Sequence, residues 1–146
     1  MQINQLTERI IGCCFKVHRV LGPGFPEKVY QSALLNSLQT PHFTVERECR
    51  FRVVFEGKPV GDFHIDLLVN GCVILEVKAV TGPMPKVFAA QLLAYLKAAE
   101  LPLGLLVNFG NPSCHIKRVI FSSLKSVKSP MKSVESTLES VESSLR

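Results

Sequence analysis

Nowhere does the sequence stay apolar for the roughly 20 residues that cross a bilayer. Its longest apolar stretches, such as Val73-Ile74-Leu75 and Leu103 to Phe109, are far shorter, so no membrane segment is expected. Met1-Gln2-Ile3-Asn4-Gln5 also lacks a basic region followed by an apolar one and a small-residue cleavage site. Secretion is therefore not expected, and the cytoplasm is the expected compartment. Cysteine is present without a pattern: Cys13, Cys14, Cys49, Cys72 and Cys114 are odd in number and show no C-x-x-C spacing. This excludes a disulfide framework and gives no sign of a zinc or iron–sulfur cluster, leaving small buried thiols as the ordinary reading.

The 146 residues, 47% of them apolar, suffice for one buried core and are short for two. The expected division is one domain over residues 1–121 and a tail over residues 122–146. A net charge of +5 and a pI near 9.1 suit an anionic partner such as nucleic acid, although the basic residues are scattered.

Apolar residues at Leu6, Ile10, Cys14, Val17 and Leu21 recur three and four apart and predict a helix from about residue 4 to 20, ended by Gly22-Pro23-Gly24. Pro26 suits a first helical position and opens a second helix that runs to about Leu38. From Phe43 to Ala79 the period becomes two, and the turn signals Glu56-Gly57 and Asn70-Gly71 divide the stretch into three strands. A helix over about 85–100 and strands at Leu103 to Asn108 and Ile116 to Phe121 complete the order ααβββαββ. The tail repeats Ser, Val, Glu and Lys, yet Leu124, Val127, Met131, Val134, Leu138, Val141 and Leu145 trace a heptad seam. Disorder that folds against a partner or a second copy competes there with an amphipathic helix.

Chemistry concentrates between Asp62 and Lys78, where charges interrupt apolar strands. Alternation predicts Phe63, Ile65, Leu67 and Val69 on one face of the first strand, with Val73, Leu75, Val77 and Ala79 on one face of the second. The two sets match if Asn70, Gly71 and Cys72 together form the connection, a register that sets Asp66 opposite Glu76, and a bulge is the alternative way to the same pairing. Two adjacent carboxylates repel, and burying them calls for a cation; hard oxygen donors suit Mg²⁺ or Mn²⁺. Lys78 lies on the same face as Glu76 and can offset the pair or point at a bound water or phosphate. An ordinary cross-strand ion pair between Asp66 and Lys78 is the plainer alternative.

Asp66 followed ten residues later by Glu76-Val77-Lys78 resembles the D…ExK signature of the PD-(D/E)XK nuclease superfamily, with Ile65 where proline often precedes the aspartate. Gly24-Phe25-Pro26-Glu27-Lys28-Val29-Tyr30 reads G-x-x-E-x-x-Y and looks like the motif of the GxxExxY protein family within it. The likeness continues through Gln91 to Tyr95, which resembles a Q-x-x-x-Y element, and through Leu103 to Gly110. It implies a restriction-endonuclease-like α/β core, a mixed sheet flanked by helices, and hydrolysis of a phosphodiester by metal-activated water. The resemblance makes Asp66, Glu76, the Val77 carbonyl and Glu27 metal ligands of Mg²⁺ or Mn²⁺. It makes Lys78 the residue that orients water or stabilises phosphorane charge, and sets Gln91, Tyr95 and Tyr30 beside the substrate.

Plainer roles stand next to these: a first-turn glutamate favoured by the helix dipole for Glu27, and packing for Tyr30 and Tyr95. His64 shares the face expected for Asp66, although a surface histidine is the simpler expectation. The expected partner is nucleic acid, DNA before RNA, with the tail serving a homodimer or another protein. The alternative to an enzyme is a binding module that keeps the nuclease fold without cleavage.

Overall fold

The computed structural model describes residues 1–122. The heptad seam expected beyond Ser122 lies outside the described residues. Its elements are α1 (Ile3–Leu21), α2 (Glu27–Leu38), β1 (Val45–Phe55), β2 (Lys58–Val69), β3 (Val73–Lys78), α3 (Lys86–Ala99), β4 (Leu103–Asn108) and β5 (His115–Ile120). This is the order ααβββαββ read from the sequence. Pro26 and Pro85 sit one position earlier than a first helical residue, as extended N-caps of α2 and α3.

The five strands form one sheet in sequential order. β3 and β4 are parallel, joined by the crossover through α3, and the other neighbours are antiparallel. Both faces are covered, which is why β3 and β4 read as nearly unbroken apolar runs. On one face α1 and α2 place Leu6, Ile10, Tyr30 and Leu34 against Leu67, Val69, Val73, Leu75 and Val77. On the other, α3 places Ala89, Leu92, Leu93 and Leu96 against Ile65, Leu68, Ile74 and Leu106.

The β2–β3 connection is the three-residue one. Val69 pairs with Val73, and Asn70 and Gly71 take the left-handed conformation between them. One expectation about the faces fails, however. Phe63 and Ile65 pack against α3, while Leu67 and Val69 of the same strand pack against α1 and α2. The neighbouring strand does the same, since Val45 belongs to the α1–α2 side and Cys49 and Phe51 to the α3 side. The switch occurs where the β1–β2 ladder skips a pair, at Glu48 and Asp66, with Glu48 at φ 52°. A non-glycine residue in that conformation breaks the pleat and re-aims the side chains beyond it. Because both strands turn together, the register is the same on either side of the skipped pair and shifts farther out, between Val53 and Val54, and Phe51 and Phe63 of the outer half pack against α3.

Candidate active site

That irregularity sits at the carboxylate pair. Backbone pairing of β2 with β3 stops at Leu67 and Leu75, one residue short of Asp66 and Glu76. Side chains take over where the ladder ends. The Asp66 backbone N–H donates to Glu76 Oε1 at 3.1 Å, and the Val77 N–H donates to Asp66 Oδ2 at 2.7 Å. Each carboxylate thus closes the opening left by the other strand, and each keeps one oxygen, Asp66 Oδ1 and Glu76 Oε2, without a hydrogen bond among the described residues. A strand residue points its N–H and C=O to the same side, so the Val77 carbonyl is directed towards β2 as its N–H is.

The pair is costly to ionise. Burial first, and then the charge of Asp66, push the Glu76 carboxyl from its ordinary 4.5 up to about 8. Asp66 is raised as well, by burial above all, with the charges of Glu27 and Glu48 adding to it; the Val77 hydrogen bond and Lys78 act the other way. Two hydrogen-bonded carboxyls that cannot both ionise cheaply, with free oxygens remaining, fit a hard divalent cation. Among the described residues no three His, Cys, Asp or Glu side chains converge closely enough to hold an ion by themselves.

Lys78 lies half-buried at the end of β3, with its ammonium 4.3 Å from the centroid of the Phe88 ring. It lowers both carboxyls without ion-pair contact with either, so the simple Asp66–Lys78 ion pair is not formed. The cation–π contact anchors the ammonium beside the carboxylates and leaves its hydrogens free for another acceptor. Asn108 supports this corner: its Oδ1 accepts from the N–H groups of Val80 and Gly110, and its Nδ2 donates to the Val80 carbonyl.

Glu27 opens α2 and is near enough for its charge to be felt at both carboxyls, without joining them in a three-carboxylate group. Tyr30 does not line the protein surface. Its ring is fully buried and stacked on Phe109 at 4.6 Å between centroids. Its hydroxyl donates to the Gly22 carbonyl at 2.6 Å and accepts from the Phe25 N–H at 3.2 Å. It therefore staples the Gly22–Phe25 loop and sets where α2, and with it Glu27, begins. Tyr95 stacks on Phe63 at 4.3 Å, and burial together with the charges of Glu76 and Asp66 raises its phenol. Gln91, one turn earlier on α3, is exposed, and His64 is exposed on β2.

Glu48 and Phe88 were not singled out in the sequence. Only the ladder irregularity and the helix packing bring them here, and no spacing rule links either to Asp66 or Lys78.

A model of the PD-(D/E)XK nuclease superfamily matches residues 4–119. The chain belongs to this superfamily. Its members generally use divalent metals. Among solved structures, "Crystal structure of SSO0001" aligns with a TM-score of 0.52 at 15% identity over 80% of this chain, a likeness of fold alone. The chain spans 57% of that protein's length. No curated protein matches. Among the described residues no helix is long and apolar enough to cross a membrane.

Proposed function

We propose that this PD-(D/E)XK protein is a Mg²⁺- or Mn²⁺-dependent nuclease that hydrolyses phosphodiester bonds, DNA before RNA, and that it belongs to the GxxExxY branch. The observation that carries the reading is the opened β2–β3 ladder, closed by two carboxylates that each keep a free oxygen next to Lys78. A scaffold would close that ladder with ordinary backbone pairs, and without the desolvation cost seen at Glu76.

Asp66, Glu76 and the Val77 carbonyl would hold the metal, with Glu27 acting from the start of α2. The bound cation supplies Lewis acidity and makes water a nucleophile near neutral pH. Lys78 donates hydrogen bonds to the attacking water or to the phosphate oxygen that gains charge. Tyr95 and Gln91 on α3 flank the substrate, and Tyr30 acts indirectly by fixing Glu27. Residues 1–121 form the nuclease domain, and the segment beyond it serves assembly through its heptad seam.

The test is hydrolysis of labelled single- and double-stranded DNA and RNA by the wild type and Lys78→Ala, with Mg²⁺, Mn²⁺ or chelator. Metal-dependent products that the variant does not make would support the nuclease. Absence of cleavage, with the two proteins binding nucleic acid equally, would leave a binding module.

A further inference from the structure

The catalytic corner does not end at Tyr95. Phe63 stacks between Tyr95, at 4.3 Å, and Phe51, at 5.5 Å, so three near-parallel rings run from α3 across β2 to the paired residue of β1. The elements that carry this stack continue as the two walls of a groove of about 460 Å³. Arg52, Val53 and Val54 follow Phe51 on the outer half of β1, Ala94, Lys97 and Ala98 surround Tyr95 on α3, and Glu100 also lines the groove. One cation stands on each wall, and two alanines keep the floor low. Val54, Phe55 and Val60 extend the apolar surface to the hairpin tip, each more than half exposed.

We infer that this groove receives a single unpaired polynucleotide strand and guides it to Asp66 and Glu76. The inference rests on the nuclease reading of that centre and adds its substrate class. An apolar floor next to stacked rings suits the faces of bases, and Arg52 and Lys97 suit phosphates. Only an unpaired strand offers both together, because a duplex keeps its base faces stacked inside.

Fluorescence anisotropy with labelled oligothymidylate, oligouridylate and a matched duplex, in chelator, tests this with the full chain and with Arg52→Gln/Lys97→Gln. The wild type should prefer the single strands, with the two oligomers separating DNA from RNA. Removing two phosphate contacts should lower the salt slope by about 1.4 and weaken single-strand binding about 25-fold at about 0.1 M salt, with thermal stability unchanged. Unaltered single-strand affinity in the double variant, or tighter binding of the duplex, overturns the inference. Groove-dependent single-strand binding without hydrolysis by the wild type in Mg²⁺ or Mn²⁺ overturns the nuclease reading while supporting the groove.

Discussion

Glu76→Gln removes the charge that its surroundings oppose most. The folded protein holds the Glu76 proton up to about pH 8, whereas an ordinary glutamate releases it near 4.5. Between those values the native state binds the extra proton, so the stability this group contributes is complete below about pH 4.5 and is lost as pH rises towards 8. The slope is about 1.4 kcal/mol per pH unit, which by pH 7.5 amounts to a loss on the order of 4 kcal/mol in metal-free protein. Glutamine preserves the shape and the acceptor for the Asp66 N–H, and it has no proton to lose. In chelator at pH 7.5 the variant should melt on the order of 10 °C higher than the wild type, with the gap closing near pH 5. Denaturation curves from pH 5 to 8.5 measure this directly. Mg²⁺ or Mn²⁺ should raise the wild-type midpoint and leave that of the variant nearly unmoved, because the variant has lost one anionic ligand. Wild-type stability that stays flat across this range, with no gain in the variant, would refute the account of the pair.

Lys78→Met should reduce metal-dependent cleavage by about 10² to 10³-fold in single-turnover assays while the fold is retained, since the ammonium makes no ion pair in the resting protein. Tyr30→Phe should cost about 1–3 kcal/mol in chemical denaturation by orphaning the Gly22 carbonyl and the Phe25 N–H. It should also lower cleavage through misplacement of Glu27. Two glycine variants should differ sharply in thermal melts. A Cβ at Gly110 would lie 2.4 Å from the Val80 carbonyl oxygen, rigid backbone, so Gly110→Ala should prevent stable folding or displace the Lys78 corner. At Gly104 the obstacle is the Leu92 side chain at 2.8 Å, which can repack, so Gly104→Ala should cost about 1–3 kcal/mol.

The sequence by itself determined the element order, because periods of two and of three to four are local properties that the chain cannot hide. It also pointed to the β2–β3 register: with both strands apolar on the α1–α2 side, a three-residue connection or a bulge keeps Leu67 with Leu75 and brings Asp66 to Glu76, and the structure has the three-residue connection. Both carboxylates and Lys78 were legible for that reason, and the superfamily from the resemblance of Asp66 and Glu76-Val77-Lys78 to the D…ExK signature.

Tertiary structure decided the rest. Alternation carried through Asp66 misplaces Phe63 and Ile65, because the break is shared with Glu48 on another strand and is invisible within either one. Tyr30 reads as a motif residue, yet its role comes from the loop it holds and the Phe109 ring beneath it. Phe88 reaches Lys78 only because α3 crosses back over β3. The groove between Arg52 and Lys97 depends on residues far apart in the chain. Such features arise from the angle at which a twisted sheet meets its helices, a quantity that no local pattern of residues encodes.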